Sequence, residues 1–155
     1  MKGNEKVIGT LNSLLAGELA AVNQYILHAE ICENWLYGKL HENIKKRAID
    51  EMKHAEKLIA RILFLEGHPI VSQLDAINIG SDVADMHKKD WGAENKTISD
   101  YNGAIKVAQE AGDSGTREIL ESILADEEGH LDWIEGQQSQ IAQMGIETYL
   151  GKQIA

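Results

Sequence analysis

The stretch DEMKH at residues 50–54 returns later in the chain as DEEGH at residues 126–130. Both copies have the pattern Asp-Glu-x-x-His. On a helix, a glutamate and a histidine three residues apart lie on the same face, one nearly above the other. Each copy therefore offers a carboxylate and an imidazole to a metal ion that approaches from one side.

Each copy also has an isolated glutamate at the same distance before it. Glu18 lies 33 residues before Glu51, and Glu94 lies 33 residues before Glu127. Glycines near the two midpoints predict a turn in each interval, because glycine interrupts helical periodicity. Two antiparallel helices joined by such a turn bring each pair of glutamates to one height, so that all four helices supply ligands to one point.

Four long amphipathic helices are predicted from the spacing of apolar residues. Apolar residues recur at intervals of three and four in four segments, residues 5–34, 38–66, 82–110 and 116–143. Glu18 and Glu94 lie within the apolar stripes of the first and third segments. A carboxylate in such a stripe must be paired, protonated or bound to a metal. The alternative, an ordinary solvated glutamate, does not fit apolar neighbours on the same stripe.

The longest segment without periodicity, residues 67–81, separates the two helical hairpins. When extended it spans ~45 Å, enough to run the length of a bundle. We therefore predict one all-α domain over residues 1–155, a four-helix bundle in which this crossover joins hairpin 5–66 to hairpin 82–144. Residues 146–154 are predicted to form a short fifth helix.

The composition limits the classes of partner. The net charge is −10, which disfavours nucleic acid or an anionic membrane as the main partner and suits a protein that attracts cations. The sequence has no apolar run long enough to predict a membrane span or a signal peptide. Cys32 is the single cysteine, so an internal disulfide framework is excluded, and a reducing, cytoplasmic location is predicted.

The predicted ligand set combines hard carboxylates with borderline imidazoles, which suits iron or manganese and, less specifically, zinc. We predict six metal ligands, which are Glu18, Glu51, His54, Glu94, Glu127 and His130. Two chance matches in polar helices are the alternative interpretation. Equal spacing, placement on the apolar stripes and the repeated aspartate disfavour it, because they are independent observations that agree.

Two metals are expected, one for each Glu-x-x-His motif. In this assignment, Glu18 with His54 holds one metal and Glu94 with His130 holds the other. The motif glutamates bridge the two metals. The aspartate that begins each motif is predicted to accept a hydrogen bond from a ligand imidazole on its own or the facing helix.

With these residues in view, the chain resembles bacterioferritin, the haem-containing bacterial ferritin, from its first residues almost to its end. Other ferritins lack the symmetric pair of Glu-x-x-His motifs. The resemblance rests on four blocks, NQY at residues 23–25, DEMKHA at 50–55, RILFLEG at 61–67 and DEEGH at 126–130. It implies a ferritin-like four-helix bundle whose six metal ligands match the six predicted residues.

The resemblance also implies a function. In that family a di-iron centre acts as a ferroxidase, which oxidises Fe(II) with dioxygen or peroxide. The ferric product is stored as a mineral inside a hollow shell of 24 identical subunits, so that iron is both stored and detoxified. The six predicted ligands would then be the catalytic residues. A separate electron-donor protein for iron release is a further possible partner that the resemblance implies.

Met52 matches the haem ligand of the family. There, two such methionines, one from each subunit across a two-fold axis, hold one b-type haem. Helical spacing places Met52 on a second apolar stripe of the second helix, with Ile49, Ile59 and Leu63. A surface helix needs only one apolar stripe, so the second stripe predicts contact with a partner subunit. The alternative is a methionine that only packs at this interface.

One departure from the family lies at Lys46 and Arg47. Family members often have histidine or acidic residues there, facing the shell interior, and the resemblance implies that those groups help iron to move onward. Basic residues at both positions lead us to expect slower transfer of iron from the di-iron centre to the mineral.

The remaining histidines and two aromatic residues have plainer interpretations. Tyr25 and Trp133 are interpreted as core residues, with electron donation to the metals as the alternative. Four histidines without a motif are predicted to lie on the surface or in the crossover, namely His28, His41, His68 and His87.

Two other classes of function compete with iron storage. A di-iron oxidase or peroxidase acting on a small substrate would use the same ligands, but it would need an open substrate pocket and a reductase partner. A DNA-protecting mini-ferritin or a purely structural bundle is disfavoured by the acidic charge and by a full ligand set within one chain.

Overall fold

Five helices make up the fold, described for residues 1–154 in a computed structural model. Within these residues there is no β-strand. The helices are α1 (Glu5–Asn34), α2 (Gly38–Phe64), α3 (Val83–Glu110), α4 (Ser114–Met144) and α5 (Ile146–Gly151). The predicted all-α bundle with one long crossover and a short fifth helix is confirmed.

Short polar side chains fix where three of the long helices begin. Asn4 accepts hydrogen bonds from the first amides of α1, Asp82 from an amide of α3, and Asp113 from the Thr116 amide of α4. Such caps satisfy amides that have no partner within the helix. The Asp113 cap starts α4 at Ser114, two residues before the predicted start, and α5 ends at Gly151 rather than at residue 154.

The helices pack as two antiparallel hairpins, α1 with α2 and α3 with α4, which lie side by side. The turn of the first hairpin passes through Leu36, which has a φ of 63°. This left-handed conformation is unusual for a residue with a side chain. The second helix begins at Gly38, where the predicted segment 38–66 also begins, and it ends at Phe64, two residues before the predicted end.

The crossover runs along α1 and is tied to it at successive levels. The Asn12 side chain bonds the backbone of His68 and of Ile70. Further along, the Asn78 amide donates to Gln24, and the Gly80 amide donates to His28, each at 3.0 Å. These bonds give the polar backbone of a long irregular segment partners on the bundle, as buried backbone groups require.

The apolar core is divided into two clusters along the bundle axis. One cluster lies towards the start of α1, around Leu11, Leu58 and Leu120. The other lies towards the end of α1, around Cys32 and Ile44. The predicted metal ligands occupy the sequence positions between them. None of the helices among residues 1–154 is long and apolar enough to cross a membrane.

Candidate metal centre

The six predicted ligands converge at one level of the bundle, between the two apolar clusters. The four glutamates and His54 are each at most 2 % exposed, whereas His130 is 12 % exposed. One glutamate comes from α1 and one from α3, and a Glu-x-x-His pair comes from each of α2 and α4. The structure thus brings together every residue of the predicted set.

The first group of ligand atoms surrounds His54. Its Nδ1 lies 3.0 Å from Glu18 Oε2, 3.2 Å from Glu51 Oε1 and 2.7 Å from Glu127 Oε1. One ligand atom from each of these four residues lies within 4.8 Å of all the others. This spacing suits a single metal ion.

The second group surrounds His130 in the same way. Its Nδ1 lies 3.4 Å from Glu51 Oε1, 3.5 Å from Glu94 Oε1 and 3.6 Å from Glu127 Oε2. One ligand atom from each of these four residues again lies within 4.8 Å of all the others. Because Glu51 and Glu127 belong to both groups, they have the positions that bridging carboxylates require. That these residues hold two metals stays a prediction.

Several of the converging side-chain atoms lack hydrogen-bond partners within the described residues. Each of the six side chains has at least one buried oxygen or nitrogen without a hydrogen-bond partner among the described residues. A buried polar atom without a partner costs ~1–3 kcal/mol, and more when it is charged. Their donor chemistry fits a pair of hard or borderline cations, which would satisfy all of these atoms at once.

Two aspartates orient the ligand imidazoles. His54 Nε2 lies 2.9 Å from Asp126 Oδ2, and His130 Nε2 lies 3.0 Å from Asp50 Oδ2. Each Nε2–H can donate to the carboxylate of the facing helix, which turns Nδ1 of the same ring towards the glutamates. The predicted contacts between these aspartates and the two imidazoles are present, and in both cases the partner is on the facing helix.

Two tyrosines bind the outer glutamates. The Tyr25 hydroxyl donates to Glu94 Oε1 at 2.7 Å, and the Tyr101 hydroxyl donates to Glu18 Oε2 at 3.2 Å. Tyr101 was not among the candidate site residues predicted from the sequence. A signal was present, however, because each tyrosine follows a ligand glutamate by seven residues, two helical turns. Each then reaches across to the glutamate of the other hairpin.

Protons would compete with metal ions for these side chains. Burial, followed by the charge of Glu51, raises the pKa of Glu18 well above its usual value. Burial and then the Glu127 carboxylate raise the pKa of Glu51 to about 7. Burial lowers the pKa of His130, but its favourable interaction with the nearby carboxylates, that of Glu127 first, outweighs burial and raises this pKa to about 11. The protein alone therefore holds protons where cations would bind.

A buried ion pair lies next to the metal centre. Arg47 Nη2 donates to Asp90 Oδ2 at 2.8 Å, and Asp90 Oδ1 accepts from Gln24 at 2.8 Å and lies 2.9 Å from His28 Nδ1. Burial raises the pKa of Asp90, but the Arg47 charge holds it below its usual value. The Arg47 guanidinium carbon also lies 4.3 Å from the centre of the Tyr25 ring.

These contacts correct three sequence-based predictions. Arg47 does not face outward from the bundle, because it is 4 % exposed and pairs with Asp90. His28 and His87 are fully buried rather than on the surface. Burial and the nearby Arg47 charge lower the pKa of His87 to about 4, and its Nε2 lies 3.0 Å from the Tyr149 hydroxyl. Helical spacing alone did not reveal these partners.

The other residues singled out from the sequence lie further from the ligands. Trp133 is half-buried between Arg47 and His87, and its ring centre is 5.8 Å from that of His87. His68 is exposed in the crossover, as predicted, and His41 is half-buried. Electron donation by Tyr25 or Trp133 stays a prediction.

The fold and the site together define a protein of the ferritin-like class. Four long helices surround a buried cluster of carboxylates and imidazoles, and the ferritin-like domain family matches residues 8–144. A bacterioferritin of Rhodobacter capsulatus is 41% identical over 149 residues, which cover 96% of this chain and 92% of that protein. The chain belongs to the bacterioferritin family, and the predicted resemblance is confirmed.

Two further relatives match over almost their whole length. A bacterial ferritin of Synechocystis sp. is 40% identical over 156 residues, covering 100% of both chains. A bacterial ferritin of Pseudomonas aeruginosa is 40% identical over 155 residues, covering 99% of this chain and 100% of that protein. The similarity therefore extends beyond the four bundle helices.

Removing the charge of Asp126 should weaken metal binding. In Asp126→Asn, the amide can no longer accept the His54 N–H as a carboxylate does, so we expect the affinity for Co(II) at the His54 group to fall ~10–100-fold. Spectroscopic titration with Co(II) measures this. Glu128→Gln is the matched control, since it removes one exposed carboxylate from the same helix. Equal affinities in the two variants would contradict the orienting role.

Metal binding should release protons, because the raised pKa of Glu51 and of both histidines means that protons must leave first. The affinity for Zn(II) should therefore rise as the pH rises from roughly 6 to 8. Calorimetric titrations in buffers of different ionisation enthalpy count the protons released. A binding enthalpy that is the same in every buffer would show that none are released.

Proposed function

We propose that this protein stores and detoxifies iron. Its subunits assemble into a hollow shell of 24 copies, and a two-metal centre in each subunit oxidises Fe(II), which is the substrate, with dioxygen or peroxide. Ferric mineral is then deposited inside the shell. The proposal is carried by one observation, namely two overlapping groups of buried ligands that share Glu51 and Glu127.

The charge of the site supports a ferroxidase. Four carboxylates balance two Fe(II) ions, and the neutral imidazoles add no charge. Each Fe(II) gives up one electron, and the two electrons, with two protons, convert dioxygen to hydrogen peroxide or hydrogen peroxide to two waters. Negative ligands favour the more highly charged ferric ion, so the buried carboxylates drive the oxidation electrostatically. Tyr25 and Tyr101 hold the outer glutamates in place as the charge changes.

Assembly is supported by an apolar surface on α1 and α2. Leu63 is 58 % exposed and Phe64 is 51 % exposed, and Ile26 and Leu27 on α1 are also exposed. Large apolar side chains left exposed on a pair of helices in this way are expected where another subunit covers them. A cytoplasmic location is part of the proposal, and it is supported by Cys32, a free buried thiol.

Haem b bound between two subunits is a further part of the proposal. Met52 is 46 % exposed on the outer face of α2, one turn from the partly exposed Ile49. An exposed thioether beside apolar residues suits an axial ligand to a haem shared with a second copy. Such a haem would supply electron transfer, and an electron-donor protein could use it during iron release.

The second candidate, a di-iron oxidase or peroxidase for a small organic substrate, fits the site less well. The cavity that reaches His130 has a volume of about 160 Å³, whereas ligand pockets usually measure ~300–1,000 Å³. Gel filtration and light scattering separate the two candidates. A large shell supports iron storage, and a small oligomer supports the oxidase or peroxidase.

Aerobic addition of Fe(II) tests the ferroxidase. We expect Glu127→Gln to lower the initial rate of Fe(II) oxidation at least ~10-fold, because it removes a bridging carboxylate from both ligand groups. Near-ultraviolet absorbance of the ferric product measures the rate. Glu128→Gln, at the exposed neighbouring position, should keep the normal rate. A normal rate in Glu127→Gln would refute the assigned centre.

Haem binding is tested at Met52. We expect Met52→Leu to lose the absorbance of a thioether-ligated haem while its size on gel filtration is unchanged, because leucine keeps the apolar contact but offers no ligand atom. Met144→Leu, which removes a similarly exposed thioether at the end of α4, is the control. An unchanged haem spectrum in Met52→Leu would exclude this ligand.

A further inference from the structure

A small cavity opens between α2 and α4 beside the metal centre. Its volume is about 160 Å³, and its walls include Lys46, Arg47, Asp50, Gly129 and His130. It touches the metal centre at His130, the one ligand that is measurably exposed. A water molecule takes ~30 Å³ of liquid volume, so the cavity has room for a tetrahedral oxyanion with ordered water.

Gly129 keeps this cavity open. A Cβ atom at this position would meet no other atom within 4 Å, so no close helix contact requires glycine there. Glycine within a helix costs ~1 kcal/mol relative to alanine. At Gly129 the open space belongs to the cavity, because Gly129 is one of its lining residues.

The walls of the cavity have spare cationic donors. Arg47 is 4 % exposed, and its Nε and Nη1 have no hydrogen-bond partner among residues 1–154. Only Nη2 is engaged, by Asp90, whose other oxygen already serves Gln24. Lys46, one residue earlier, is exposed and forms no ion pair within the described residues.

The acidic wall of the cavity has less spare capacity. Asp50 is the one carboxylate on the wall, and its Oδ2 lies 3.0 Å from the His130 imidazole. Unsatisfied N–H groups of a buried guanidinium cost free energy. Among common small ligands, an oxyanion best matches the geometry of these N–H groups. Asp90 offsets the Arg47 charge, but the Lys46 charge is unpaired within the described residues and favours an anion over a divalent cation.

We propose that this cavity binds a small tetrahedral oxyanion, of which inorganic phosphate is the probe, held by Arg47 and Lys46 beside His130. The consequence for the mineral rests on the proposed function: ferric ions that leave the centre would meet a bound counter-ion at its edge. The site itself does not depend on iron oxidation, because it shares with the metal centre only His130 and Asp50, the aspartate that contacts His130.

Phosphate binding to the assembled, iron-free protein tests the proposal by calorimetry. We expect Gly129→Leu, which fills the cavity, to bind phosphate at least ~10-fold more weakly. Lys46→Gln should weaken binding several-fold. The matched controls are Gly136→Leu and Lys45→Gln, since Gly136 also has open space around its Cβ and Lys45 is exposed on the same helix.

Both controls should bind phosphate as the unmodified protein does. Equal phosphate affinity in Gly129→Leu and Gly136→Leu would overturn the site, as would the lack of saturable binding below roughly 10 mM phosphate. Thermal melting of Gly129→Leu checks that it is folded, and the open space at this position predicts that it is. Because the assay uses no iron, a negative result would contradict the phosphate site without contradicting the proposed ferroxidase activity.

Discussion

Burying four carboxylates at one level of a helical bundle is the constraint on which the structure depends. Carboxylates of like charge repel each other, and burial removes the water that would stabilise them. Two imidazoles lie among the carboxylates, and a tyrosine hydroxyl donates a hydrogen bond to each outer glutamate, which stabilises the buried carboxylates. An apolar cluster on each side then holds the four helices together around this polar layer.

The centre has an approximate two-fold symmetry that follows from the repeated motif. Each half of the chain supplies an outer glutamate, a Glu-x-x-His pair, an orienting aspartate and a tyrosine. The aspartates and tyrosines of one half of the chain contact the predicted ligands of the other half. The four crossing contacts are Tyr25 with Glu94, Tyr101 with Glu18, Asp126 with His54 and Asp50 with His130.

The fold and the convergence of the six side chains could be predicted because both depend on periodicity and spacing within single helices. The Arg47–Asp90 pair depends on which side chains meet across helices, which helical spacing does not determine. His28 and His87 were misassigned for the same reason, since their partners come from distant segments. The tyrosine contacts were predictable in principle, because the seven-residue spacing occurs in both halves.

The crossing contacts also bear on the order of folding. They join residues separated by 69 to 83 positions, so they form only after both hairpins have docked. Contacts between residues distant in sequence generally form late, because the intervening chain must first be ordered. When only the first hairpin has been synthesised, half of the predicted ligands and all four crossing contacts are still absent. If the centre binds iron as proposed, it can do so only in the complete bundle, and a partly synthesised chain would leave reactive Fe(II) unbound.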